Sequence, residues 1–153
     1  MGNDRSQILV RALLGGLLAG IGLSLSGIWW MVPALALLWS VALHPLAAAL
    51  WGGLAVAISH RWLLALHPLT WLGVPELLSR PVATAIWLSC GLAAALLLSV
   101  WSLVVRLLPG RAGALQALVL SLLWGLGETL LSRGPLFWIG VGGSVFPSDP
   151  AFG

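Results

Sequence analysis

Of 153 residues, 60% are hydrophobic and 7% charged, and the net charge of +3 comes from seven arginines set against four acids. A soluble domain carries roughly 25% charged residues, so this chain lacks the charge to coat a water-facing globule, and its mean hydropathy of +1.07 agrees. The isoelectric point near 11.2 reflects scarce acids; Arg5, Arg11, Arg61, Arg80, Arg106, Arg111 and Arg133 are scattered singly, so no basic patch for nucleic acid forms.

The pattern predicts an all-α, polytopic integral membrane bundle. Ala12 to His60 and Pro81 to Val105 contain no Asp, Glu, Lys or Arg, and a helix needs about 20 apolar residues to cross the hydrocarbon. The apolar residues are continuous instead of alternating, which excludes a β-barrel. We read about five hydrophobic segments. The first covers about Ile8 to Ser26. Arg5 and Arg11 precede it and Ser24-Leu25-Ser26 resembles a peptidase site, but hydrophobicity continues from Trp29 to Leu43, which favours a retained helix over a signal peptide. The second segment runs about Ile28 to Leu43 and the third about Pro45 to Leu66. They share a tight His44-Pro45 turn, and a re-entrant hairpin is the alternative to two full spans. "LHPLTWLGVPELLSRP", Leu66 to Pro81, cannot be one helix because of Pro68 and Pro75; an interfacial loop fits. The fourth segment is Val82 to Leu107 and the fifth Ala112 to Ser132. Pro33, Pro45, Pro81 and Pro135 fall near segment ends, where a missing N–H does least harm.

With the N-terminus cytoplasmic, Arg5, Arg11, Arg106 and Arg111 lie inside, and Arg80 and Arg133 lie outside near Glu76 and Glu128, with Arg61 at the outer interface. Among ten tryptophans, Trp29, Trp30, Trp62, Trp71, Trp87 and Trp138 then form an outer belt and Trp39, Trp51 and Trp101 an inner one, with Trp124 deeper. Gly16-Leu-Leu-Ala-Gly20, Gly53 with Ala57, and the small residues Ser89, Cys90, Gly91, Ala93, Ala94 and Ala95 predict close helix packing.

Few residues can carry chemistry. Glu128 lies near the end of the fifth segment and Arg133 closes it. An ionisable residue at a membrane helix is a functional candidate by default, so two readings stand open: an interfacial structural pair, or a site for substrate headgroups. Gly140-Val-Gly142-Gly143 lacks the strand and later acid of a nucleotide fingerprint and reads as a turn. His44, His60 and His67 are spread over both faces, so no metal site is expected, and no cofactor. Cys90, the single cysteine, sits mid-membrane with no His or acid within helical reach, and reads as a packing residue. No Ser-His-Asp set, carboxylate pair or zinc motif is visible, so no catalytic residue is assigned.

"RWLLALHPLTWLGVP" (Arg61 to Pro75) and "LLWGLGETLLSRGPLFWIGVGGSVFPSDP" (Leu122 to Pro150) resemble the membrane domain of bacterial apolipoprotein N-acyltransferase, particularly its cyanobacterial branch. In that family the fifth helix ends in a Glu, a few apolar residues and Arg-Gly, followed by a Phe/Trp loop and a Gly-rich turn. Glu128, Arg133-Gly134, Phe137-Trp138 and Gly142-Gly143 match. The resemblance implies transfer of an acyl chain from phospholipid to the α-amino group of a lipoprotein's diacylglyceryl-cysteine in the bacterial plasma membrane. It implies a thioester on a Cys, with a Glu base and a Lys, in an extracytoplasmic nitrilase-like domain. This sequence departs there: it contains no Lys and reaches "PSDPAFG" without that domain, and Cys90 matches no catalytic position. The expectation is therefore an N-terminal membrane region, 1–133, and a Gly/Pro-rich segment, 134–153, leading toward the catalytic domain. Glu128, Arg133 and Trp138 are its substrate-binding candidates, with phospholipid and lipoprotein as substrates. The chain is expected to be inactive alone, and whether a truncated gene, a split gene or a partial sequence explains it stays open, as does a separate chain carrying the catalytic half. The alternative from another class is a small standalone membrane protein, such as a transporter subunit or assembly factor. Such a transporter should carry ionisable or broken-helix features at the midplane.

Overall fold

A computed structural model describes residues 2–25, 28–108 and 114–134. Its elements are α1 (Gly2–Leu25), α2 (Ile28–Ser40), α3 (Pro45–Ser59), α4 (Glu76–Leu107) and α5 (Ala114–Ser132), with two short 3-10 turns, Arg61–Leu66 and Leu69–Leu72, between α3 and α4. Among the described residues there is no strand. The chain is a helical membrane bundle, as its hydropathy requires.

At about 1.5 Å per residue, α1 and α4 are about 36 and 48 Å long, more than the hydrocarbon thickness of about 30 Å. These two are long and apolar enough to cross a membrane; the α2, α3 and α5 segments are shorter apolar helices. The two long helices exceed the sequence expectation at their starts. α1 begins six residues before Ile8, and α4 six before Val82. Each extension carries an acid in its first turn, Asp4 in α1 and Glu76 in α4, and Arg106 sits in the last turn of α4, all favourably placed on the helix dipole. Hydropathy marks where lipid begins, and these helices simply continue past it into the interface.

The prolines are also re-placed. Pro45 opens α3 as its first residue, after an extended His44, where its fixed φ suits a helix start. Pro33 and Pro81, however, lie inside α2 and α4. Each sits in the second turn, so it removes a single early i→i−4 bond and does not end the helix. The third segment, in contrast, does not run unbroken to Leu66: its α-helix stops at Ser59 and tightens into the 3-10 turn.

Helices consecutive in the chain alternate in direction, so α1 and α3, which pack together, are parallel. Gly16 faces Trp51 and Leu54 while Gly20 faces Ile58, so α1 and α3 run parallel. Gly52 meets Leu98 and Gly53 meets Gly91 and Ala95, so α3 and α4 run antiparallel. Trp101 reaching Leu120 and Leu97 reaching Gly127 make α4 and α5 antiparallel as well. One end of the bundle thus holds Asp4, Arg5 and Arg106, and the far end holds Arg61, Glu76, Arg80 and Arg133. The glycine spacing of α1 is a contact surface: a Cβ on Gly20 would stand 2.6 Å from the Ile58 Cβ, and one on Gly16 2.6 Å from the Trp51 carbonyl oxygen. Without burial from water to drive association, such close backbone approach holds membrane helices together.

The tryptophans divide differently from the expected belts. Trp29, Trp30, Trp62 and Trp71 are exposed near the far end, as a belt requires. Trp51 and Trp101 are buried, only 3% and 4% exposed. Their indole N–H groups donate to the carbonyls of Ala34 and Leu120, at 3.1 and 3.2 Å. Ring contacts run from Trp39 to Trp101 (5.7 Å between centroids), from Trp101 to Trp124 (5.7 Å) and from Trp124 to Trp51 (6.4 Å). These four rings tie α2, α3, α4 and α5 together. A helix carbonyl can accept a second hydrogen bond, so an indole need not stay at the wet interface to satisfy its N–H. Trp138 lies outside the described residues.

Candidate functional site

Glu128 stands one helical turn beyond Trp124 on α5, three-quarters of the way along the helix. Its side chain is half-buried and borders two clefts. The larger, about 340 Å³, lies between α2, α4 and α5, with walls of Leu35, Leu38, Trp39, Trp101 and Trp124. Its polar groups are Ser121 and the Glu128 carboxylate. The smaller cleft, about 20 Å³, lies between Glu128 and Trp51, Met31 and Leu97. The carboxylate is therefore held at the rim of an apolar groove open to the side of the bundle.

Arg133 is placed otherwise. The helix runs to Ser132 and turns at Arg133, with Gly134 N–H closing onto the Leu131 carbonyl. Five helical residues turn through about 140° net around the axis, so Glu128 turns to the clefts and Arg133 is exposed and lines neither of them. The structure brings Glu128 to Trp124 and the α2–α4 wall. Trp138 and the glycines Gly140, Gly142 and Gly143 fall outside the described residues.

A second polar cluster, at the far end, was not anticipated from sequence. Ser79 is fully buried; its Oγ accepts the Leu69 backbone N–H at 2.7 Å and shares a hydrogen bond of 2.8 Å with His67 Nδ1. The serine ties the loop onto α4. Beside it an open cleft of about 420 Å³ is lined by His67, Glu76, Leu77 and Arg80. His60, also fully buried, shares a 2.9 Å hydrogen bond with Ser59. A signal for Ser79 was present: Ala83, Cys90, Ala94, Leu98 and Trp101 form the buried stripe of α4, and one more turn back along that stripe reaches Ser79. Only the assumption that the helix began at Val82 hid it.

Cys90 is sealed at 0% exposure in a cluster with Val56, Leu63 and Ala94. A lipid or peptide cannot reach its sulfur without parting α3 from α4. Among the described residues no three His, Cys, Asp or Glu side chains gather as a metal site would need.

Known proteins resemble the chain closely. It is 57% identical, over 99% of its length, to a protein of Prochlorococcus marinus (strain MIT 9313) named apolipoprotein N-acyltransferase. It is 60% identical over 97% of its length to the protein of that name in Parasynechococcus marenigrum (strain WH8102). A more distant relative of the same name, from Thermosynechococcus vestitus, is 32% identical over 88% of the chain. The chain spans about a third of the length of these relatives, 32%, 33% and 26% respectively. No family profile matches the chain, and no solved structure does.

Proposed function

We propose that this chain, which matches a third of the cyanobacterial apolipoprotein N-acyltransferases over nearly its whole length, is the membrane-embedded portion of such an enzyme. The enzyme would move an acyl chain from a phospholipid to the amino-terminal diacylglyceryl-cysteine of a lipoprotein. The observation that carries this reading is the 57–60% identity across 97–99% of the chain, which at that level covers helix faces and loops alike.

In this reading the chain lies in the bacterial plasma membrane as several spans, N-terminus cytoplasmic, and the far end of the bundle faces outward. Residues 1–133 form the membrane unit and 134–153 lead out of it. Covalent acyl transfer needs an activated nucleophile beside a base. Cys90 is too deeply packed to serve, so the chemistry is assigned to the part of the relatives' length that this chain does not span. The bundle supplies the platform. Glu128 at the rim of its groove, with Arg133 and Trp138 beyond the helix end, would receive the headgroup or free amine of a substrate. A carboxylate held against apolar walls attracts an ammonium more strongly than one in water does.

The test is a chimera. In the Parasynechococcus relative, the matching third is replaced by residues 1–153, and amino-terminal acylation of a lipoprotein is read by mass spectrometry. The chimera is expected to acylate. A chimera that inserts into the membrane intact, yet leaves the lipoprotein diacylated, contradicts the reading.

A further inference from the structure

We infer that His67 and Ser79 form a proton-sensitive latch that holds the loop between α3 and α4 onto α4. The loop is docked while the imidazole is neutral and released when the ring takes a second proton. The latch belongs to the far end of the bundle alone, and its test reads hydrogen exchange, so it stands or falls apart from the acyl-transfer reading.

Ser79 is fully buried on the inner stripe of α4. Its Oγ accepts the Leu69 N–H at 2.7 Å and lies 2.8 Å from His67 Nδ1. The oxygen is therefore already an acceptor, and its one hydrogen still needs a partner. Ser89 and Thr129 turn theirs back to carbonyls of their own helices, Ala85 and Gly125. Among the described residues Ser79 makes no such bond, which leaves His67 Nδ1 to accept its hydrogen. Nδ1 is then the bare nitrogen of a neutral ring, and Nε2 carries the ring's hydrogen. Counting donors and acceptors thus assigns the tautomer.

In that tautomer the one ring lone pair able to take a proton is on Nδ1, so acid attacks the latch itself. An imidazolium presents N–H at both nitrogens. Two donors, from His67 and Leu69, then crowd one oxygen, and the buried Ser79 hydrogen has no acceptor. Leaving a buried hydroxyl unsatisfied weakens such a contact by about ten-fold. His67 is half-buried and borders the open cleft that Glu76 and Arg80 line, so the charged ring can turn to water there. Glu76 attracts it and Arg80 repels it. Of the adjoining turns, Arg61–Leu66 brings one further charge, Arg61, and Leu69–Leu72 none; His60, at the end of α3, is buried against Ser59. The docked state is present above the range in which imidazoles ordinarily gain their second proton, around pH 6.5, and is lost as pH falls through it.

The released segment is self-contained. Gly73 N–H closes onto the Thr70 carbonyl at 2.9 Å and Val74 N–H onto the Leu69 carbonyl at 3.3 Å. Gly73 itself has a φ of 77°, a left-handed conformation that glycine adopts without steric cost. The Leu69–Leu72 turn can therefore leave α4 as a unit. Doing so uncovers Leu69, now buried, beside Trp71 and Leu72, which are exposed already. Acid thus enlarges the apolar surface at the far end of the bundle.

The test is hydrogen exchange at the Leu69 amide of the 153-residue chain in micelles, expressed as protection relative to the intrinsic exchange rate at each pH. Between about pH 7.5 and about pH 5, a span that brackets imidazole titration, protection at Leu69 should fall about ten-fold. Protection at the Leu108 amide, bonded to the Val104 carbonyl at the other end of α4, should stay constant. His67→Asn offers an uncharged acceptor near the Nδ1 position and should keep Leu69 protected at both pH values; Ser79→Ala should leave it unprotected at both. Should His67→Asn fail to fold, nitrogen-15 NMR of the parent's His67 ring carries the test: under neutral conditions Nδ1 should be bare and Nε2 protonated. Leu69 protection indifferent to pH in the parent, an equal fall in His67→Asn, or a neutral ring protonated at Nδ1 overturns the proposal.

Discussion

Trp51 of α3 donates its indole N–H to the Ala34 carbonyl of α2 at 3.1 Å, and the same residue is the surface against which Gly15 and Gly16 of α1 pack. One side chain therefore sets the spacing of three helices, and its far edge meets Trp124 of α5. The site at Glu128, one turn beyond Trp124, inherits its position from this packing.

Trp51→Ala should be among the most damaging substitutions in the bundle, costing about 3–5 kcal/mol for a buried aromatic. Trp51→Phe keeps an aromatic ring but loses the hydrogen bond, about 1 kcal/mol, together with part of the indole's buried volume, and should fall between the parent and Trp51→Ala. Thermal unfolding followed by circular dichroism in micelles orders the two. Equal losses would contradict a graded packing role and show that the site needs the whole indole.

Glycine substitutions should split by environment. Gly20→Leu pushes a Cβ to 2.6 Å from Ile58 and should cost about 1–3 kcal/mol or more by overpacking. Gly125→Ala meets nothing within 4 Å and should be neutral or stabilising by up to about 1 kcal/mol, through helix propensity. The same unfolding measurement checks both, and destabilisation by Gly125→Ala would mean that α5 packs more tightly than described.

Ser79→Ala removes the shared partner of His67 Nδ1 and the buried Leu69 N–H. Leaving such groups unsatisfied costs about 1–3 kcal/mol. Ser89→Ala, whose exposed hydroxyl only bonds back to the Ala85 carbonyl of its own helix, should cost almost nothing. Hydrogen exchange should show the Leu69 amide losing protection in the first variant and keeping it in the second.

These outcomes also show what the sequence made legible. Five apolar segments separated by Pro and Gly mark five helices, because lipid allows no exposed backbone and leaves hydropathy as the dominant signal. The small residues Gly16, Gly20 and Gly53 announce helix contacts for the same reason. Beyond the hydrocarbon that signal stops: the start of α4 at Glu76 and the 3-10 turn after Ser59 depend on local hydrogen bonds that hydropathy does not encode. Trp51 and Trp101 look interfacial in a sequence because indoles generally are, and only the three-dimensional placement of Ala34 and Leu120 supplies carbonyls for their N–H groups inside the core. Glu128 stood out as a lone acid on an apolar helix. Its separation from Arg133 follows from a helix that persists to Ser132, which spacing alone left open.

In the chimeric acyltransferase, Glu128→Gln should lower lipoprotein acylation ten-fold or more without altering the amount of protein in the membrane. Gln keeps the shape and removes the charge, so a purely structural carboxylate would leave the rate near that of the parent. Mass-spectrometric quantitation of acylated lipoprotein, normalised to membrane-bound chimera, distinguishes these results.

The purified chain alone, incubated with phospholipid and a diacylated lipopeptide, should transfer no acyl group, since its one thiol is sealed between α3 and α4. Turnover that disappears in Cys90→Ser would place the chemistry within these residues after all.

The central claim, a helical bundle embedded in the membrane with its Glu76–Arg133 end facing outward, is tested most directly by cysteine labelling in a Cys90→Ser background. A membrane-impermeant maleimide applied to intact spheroplasts should label Ser132→Cys at once and Ser40→Cys only after lysis, with both proteins remaining in the membrane through an alkaline carbonate wash. Labelling in the reverse order, or release of the chain by the wash, would contradict the account.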